Sequence, residues 1–233
     1  MGYGARVEAL LAGRVGPDPA GDAVAIPTLT MPAADRATAL PADPTARLAL
    51  SRQRQQAQNL QEQALQAWWL TRMIVTSTPL REKLTLLWSG HFATGFDKVR
   101  YAALMHLQNQ LFRSSGAGSF ETLTAAVAKD PAMQLWLDTA TDVAARPNEN
   151  FARELMELFT LGIGNYSETD VKEAARCFTG WSFDRATGAF VLRPRLHDSG
   201  QKTVLGQTGA FDGDDVVRIV ANSPASHRFI VAK

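Results

Sequence analysis

The chain has 233 residues, with 24 Lys and Arg against 23 Asp and Glu, four His, one Cys, 45% hydrophobic and 20% charged residues. That length can bury a sizeable core, and the composition excludes a disordered chain, a collagen-like repeat and a disulfide-stapled miniprotein. A net charge of +1 leaves no electrostatic footprint for nucleic acid, and no apolar run reaches the roughly 18 residues that a membrane span needs.

Both ends read as cut. Residues 1–15 are expected to be the remnant of an N-terminal helix, because Met1-Gly2-Tyr3-Gly4 runs into an amphipathic segment without any signal-peptide pattern. Ala225 to Lys233 reads as an opening helix that stops after about two turns. Six of the 11 prolines lie between Pro17 and Pro44, and no hydrophobic period survives there. Residues 16–44 therefore read as a Pro/Ala-rich linker or surface loop, and residues 45–233 as a helical domain.

From Thr45 to Thr76 there is no Pro or Gly, and Leu60, Ala64, Trp68 with Leu65, Trp69, Met73 recur at helical spacing. One long helix is expected. Thr78-Pro79 opens the next, with Leu80, Leu84, Leu87 and Trp88 as its apolar stripe and Gly90 as its end. Val99 to Phe112 reads as a further helix, and Asp130-Pro131 repeats the cap-then-proline device.

The best-defined helix starts at Pro147-Asn148. Phe151, Leu155, Leu158 and Phe159 form its apolar half, while Glu149, Asn150, Arg153, Glu154 and Glu157 form its polar half. Gly162 stands where a left-handed closing residue belongs. Ser167 to Asp170 then spell a capping-box variant before a helix closed by Gly180. Only Trp181–Phe183 and Ala189–Leu192 read as β, around a turn at residues 184–188. Asp212 to Asp215 cap a last apolar-striped helix. The expected fold is mainly α, a multi-helix single domain with one small β-hairpin near residues 181–192.

Standard catalytic motifs are missing. There is no third glycine for a dinucleotide loop, no zinc-binding His-Glu-x-x-His, no Cys pair and no nucleophile elbow. Cys177 reads as an inert, part-buried thiol, and His106 as a solvated residue on a polar helix face. Polar residues at helix ends remain. His91 follows Gly90, and the loop pair His197-Asp198 suits metal ligation or acid/base work, since a carboxylate can fix an imidazole tautomer. The plain alternative is a turn in which Asp198 bonds its own backbone. Arg153 can pair with Glu149 or Glu157 on a solvated face, yet Glu154 and Glu157 also set two carboxylates side by side, as in helices that bind divalent metals.

Several blocks carry a family resemblance. Asp130-Pro131-Ala132-Met133, Trp136-Leu137-Asp138 and the run Pro147 to Gly162 resemble the signature of the bacterial family known as domain of unknown function 1800. His91-Phe92-Ala93-Thr94, Thr179-Gly180-Trp181 and His197-Asp198 through Lys202 agree with it, and the likeness runs from about Trp68 to Lys233. The resemblance implies no established reaction. It implies an exported bacterial protein, often encoded beside a sulfatase-like partner, with no indication of oligomeric state.

Two expectations follow. One is a hydrolase-like enzyme in which His91, His197, Asp198 and Glu154 hold a divalent metal or form a His/carboxylate site. Glu149 or Glu157 would then supply acid/base chemistry, with Arg153 holding an anionic group. The other is a non-catalytic envelope binding or assembly protein, in which Asn148, Asn150 and Glu157, with Glu149 and Arg153, form a structural polar network.

Overall fold

A computed structural model describes residues 4–5, 7–8, 16–33 and 40–232. The expected N-terminal helix remnant, residues 1–15, lies outside these residues apart from four positions. The described chain is mainly α, with two small two-stranded antiparallel sheets. It divides into two compact units, Met1–Ala117 with Arg185–Gly188, and Gly118–Asp184 with Ala189–Lys233.

The first unit holds α1 (Pro19–Asp22), α2 (Pro44–Val75), α3 (Pro79–His91), α4 (Phe96–Val99) and α5 (Ala102–Ser115). Asp18 and Asp43 cap α1 and α2, each followed by a proline whose fixed φ suits the first helical position. α2 is the long helix its sequence predicts, but its buried stripe is Gln58, Leu65, Trp68 and Arg72. Leu60, expected on the apolar face, is 67% exposed.

Buried charge explains the altered faces. α3 turns Glu82 and Thr85 inward and leaves Leu86 and Leu87 exposed, rotating the expected leucine stripe. Glu82 accepts from Arg72 at 3.0 Å, from Arg113 at 2.7 and 2.9 Å, and from the Trp69 indole at 3.0 Å. An anion so enclosed must face its two guanidinium partners. A continuous helix from Val99 was expected, but Arg100 adopts a left-handed φ of 61° and separates α4 from α5. Residues 16–33 run along α2, where the Trp68 indole donates to the Val24 carbonyl at 3.2 Å. Asp18, fully buried, accepts from the Thr76 hydroxyl at 2.7 Å and from the Ser77 backbone at 2.9 Å.

The second unit begins with α6 (Phe120–Ala128) and α7 (Pro131–Trp136), the latter capped by Asp130 as expected. Asn148 caps α8 (Glu149–Glu154), which continues as a π-helical turn over Leu155–Thr160. The expected wheel assumed 3.6 residues per turn. The wider π turn leaves Leu158 half exposed while Leu155, Met156 and Phe159 stay buried. The Ser167–Asp170 capping box opens α9 (Glu168–Phe178).

β1 (Trp181–Phe183) pairs antiparallel with β2 (Phe190–Leu192), as the sequence predicts. A second hairpin follows, β3 (Lys202–Val204) with β4 (Gln207–Gly209), where only one was expected. Its strands have three residues each, and its turn places Leu205 and Gly206 at φ 48° and 77° without the usual Asn-Gly or Asp-Gly signature. The unit ends with α10 (Gly213–Ala221) and α11 (Pro224–Val231). Edge-on contacts link Phe151 to Phe178, Phe178 to Trp181 and Trp181 to Phe190 at 4.8, 5.2 and 5.0 Å, tying α8 and α9 to the first hairpin. Among the described residues no helix is long and apolar enough to cross a membrane.

Candidate functional site

The polar face of α8 is held by partners on the helix itself, on α9 and in the flanking loops. The Asn148 side chain accepts from the Asn150 backbone at 3.0 Å, and its own N–H donates to Asp142 at 2.8 Å. Arg153 grips both Glu168 oxygens at 2.7 and 2.8 Å and reaches Glu149 at 3.1 Å. Glu157 accepts from the Tyr166 hydroxyl at 2.6 Å, and burial with that carboxylate pushes the phenol up to about 12. The Asn150 amide reaches the Leu137 carbonyl at 3.5 Å. Glu154 stands apart: half-buried, it is raised in pKa by burial and then by the neighbouring Glu157 charge.

The His197 loop is built against the end of α9. Gly180 has φ 80°, and a Cβ there would lie 2.7 Å from the Arg193 carbonyl oxygen and 3.0 Å from the His197 nitrogen. That close approach lets His197 Nδ1 donate to the Thr179 carbonyl at 2.9 Å. A carbonyl only accepts, so Nδ1 carries a proton, and in the neutral ring the lone pair is on Nε2. The Asp198 backbone donates to the Thr179 hydroxyl at 2.8 Å.

Asp198 does not orient the imidazole. Its carboxylate is gripped by Arg176 at 2.8 and 3.3 Å and accepts from the Gly200 backbone at 2.8 Å. The Arg176 hydrogen bonds hold it below the usual carboxylate range. Lys202, 1% exposed, donates to the backbone carbonyls of Asp198 and Phe211.

His197 and Ser199 open onto a cleft of about 300 Å³, lined also by Trp181, Phe190, Leu192, Ala210, Asp212 and Asp214. Gly213 makes this wall possible, since a Cβ there would meet Trp181 at 2.3 Å and Phe178 at 2.6 Å. The start of α10 is thereby drawn close enough to set Asp212 and Asp214 at the cleft. Lys129 pairs with Asp214 at 2.7 Å, its ammonium 5.5 Å from the Trp181 ring centre and 5.3 Å from that of Phe190.

Sequence reasoning found His197 but not this lining. Asp212 was read as a helix cap, which it is, accepting from the Asp215 backbone at 3.1 Å. The Thr179-Gly180-Trp181 block was the available signal for the aromatic wall. Asp142 was missed as well: 4% exposed, its carboxyl is pushed up to about 6 by burial, against opposing hydrogen bonds from the Asn148 and Val143 backbones.

The other candidates lie in different settings. His91, half-buried in the first unit, stands edge-on to Trp88 and Phe92 at 5.6 and 4.6 Å. His106 is half-buried rather than solvated, edge-on to Trp68 at 5.1 Å and bonded to Gln110 at 3.0 Å. Cys177 is fully buried, its thiol pushed up to about 12 by burial. Among the described residues, no three His, Cys, Asp or Glu side chains gather as a metal ion requires.

The model of a family described as "Protein of unknown function (DUF1800)" matches residues 1–233. No curated protein and no solved structure matches the chain.

Proposed function

The chain belongs to the DUF1800 family, and from that premise we propose that its second unit carries the acid/base site of a hydrolase-like enzyme, with His197 as the proton acceptor. One observation carries this reading: the Thr179 carbonyl fixes the His197 tautomer at 2.9 Å in a residue that lines a cleft of about 300 Å³. Held this way, Nε2 takes a proton from a cleft water as it attacks an electrophilic centre. The imidazolium then returns that proton to the leaving group. Asp198 acts through Arg176 to hold the loop, and Arg153, braced by Glu149 on its own helix, fastens α8 through Glu168 to α9, whose end supplies Thr179.

The test is a panel of chromogenic carboxylic, phosphate and sulfate esters and glycosides, assayed with the wild type and His197→Gln. Loss of at least about 100-fold in turnover, with unchanged circular dichroism, is expected of a lost general base. A hydrolytic activity insensitive to His197→Gln would sink the reading.

A second reading is a non-catalytic envelope protein that assembles with a partner such as the sulfatase-like protein. It is favoured by Leu70, Ile74 and Val75, which are 57, 83 and 41% exposed at the end of α2. It requires Ile74→Asp to abolish partner binding and His197→Gln to leave that binding intact.

A further inference from the structure

The cleft beside His197 has a directional hydrogen-bonding bias. Its polar lining comprises the carboxylates of Asp212 and Asp214, the imidazole of His197 and the hydroxyl of Ser199. The carboxylates accept, as does Nε2 of the neutral imidazole, and the serine does either, so a ligand that brings donors suits this lining. The apolar lining is Trp181, Phe190 and Leu192, which offers carbon surface and aromatic rings rather than polar partners.

Charge narrows the class. Two carboxylates disfavour an anionic ligand. A cation would compete with Lys129, whose ammonium already pairs with Asp214 at 2.7 Å and lies over both aromatic rings. One Asp212 oxygen is used in capping α10, which leaves the other to accept. An uncharged ligand that carries several hydroxyl donors and an apolar C–H face satisfies this lining. The volume, about 300 Å³, sits at the small end of ligand pockets, so the unit held is small.

We infer that the ligand of this cleft is an uncharged carbohydrate unit, its hydroxyls on Asp212, Asp214 and His197 and its C–H face on Phe190 and Leu192. The inference rests on the reading of the His197 cleft as the functional site, and names its substrate class.

The experiment is carbethoxylation of His197 by diethyl pyrocarbonate on the full chain, followed by peptide mass spectrometry. Millimolar maltotriose, cellotriose and chitotriose are the neutral probes, glucosamine the amine, and glucuronate and glucose 6-sulfate the anions. At least one neutral trisaccharide is expected to slow modification of His197 by about fivefold or more. That protection should fall away in Asp214→Asn and Phe190→Ala proteins whose circular dichroism is unchanged. Equal or better protection by the anions or by glucosamine overturns the sugar class. Rapid modification that no saccharide slows overturns it too, while leaving the acid/base reading intact, because that reading needs only a reactive Nε2. Failure of His197 to react at all removes both.

Discussion

The Lys202 ammonium donates to the Asp198 carbonyl and, at 2.8 Å, to the Phe211 carbonyl. Asp198 lies between His197 and Ser199, and Phe211 between Ala210 and Asp212, so each carbonyl is flanked by two residues that line the cleft. One buried lysine thus ties two walls of the cleft together through their backbones. Replacing Lys202 by Met keeps the stem and removes the donors, leaving both carbonyls unmet at about 1–3 kcal/mol. The urea midpoint should fall, and the carbethoxylation rate of His197 should change with it. If the midpoint moves while His197 reactivity does not, Lys202 supports the fold without setting the cleft.

A second prediction concerns the first unit. Glu82, 3% exposed, is the common acceptor for Arg72 and Arg113. Its Gln variant keeps the shape and removes the charge, so the buried Arg113 guanidinium loses its carboxylate partner while Arg72 keeps Asp22 and Asp18. Breaking such a pair costs about 3–5 kcal/mol. Chemical denaturation should show a loss of that order. A loss below about 1 kcal/mol would place Glu82 among surface ion pairs.

The contrast between these sites and the caps shows what was readable. Ser167, Asp130 and Asp212 were legible because a cap is local: the side chain bonds a backbone three residues away. The single hairpin near residues 181–192 was legible by alternation. Glu82 and Arg72 were not, because a charged residue on a helix reads as solvated until its partner from another helix is known. The π turn after α8 was hidden for a different reason, since a fixed helical period cannot register one extra residue per turn. At the candidate site, His197 announced itself as a loop histidine. Its orienting partner did not, because Thr179 acts through a backbone carbonyl that any residue would have supplied.

Asp142 gives a pH prediction with a definite sign. Burial raises its carboxyl from an ordinary value of 3.8 to about 6 in the folded chain. Between those values the unfolded chain has already released the proton that the folded chain still holds. The group therefore favours the fold fully below about pH 4, and that contribution is lost as pH rises to about 6. A shift of this size corresponds to about 3 kcal/mol. Denaturant midpoints across pH 4 to 7 should show this decline in the wild type, and Asp142→Asn should flatten it. An identical pH profile in the two proteins would show that Asp142 titrates like an exposed carboxylate.

Gly180 links the fold of the second unit to its chemistry. An alanine there meets two separate penalties. A left-handed backbone costs a residue with a Cβ about 1–2 kcal/mol. The new Cβ would also press on the Arg193 carbonyl oxygen at 2.7 Å and the His197 nitrogen at 3.0 Å. Both are backbone atoms and cannot swing aside like a side-chain tip, so the loop must move. The movement falls on the hydrogen bond from His197 Nδ1 to the Thr179 carbonyl, one residue before the glycine. Gly180→Ala is therefore expected to lower stability by about 2 kcal/mol or more, since overpacking adds about 1–3 kcal/mol to backbone strain. It should also free the His197 tautomer, which ¹⁵N chemical shifts of the imidazole report directly. Gly206→Ala is the control: it carries the same left-handed strain at φ 77°, yet no atom lies within 4 Å of its Cβ. The control should lose stability without altering the His197 signals. If both variants leave the imidazole unchanged, the close packing at Gly180 does not position the histidine.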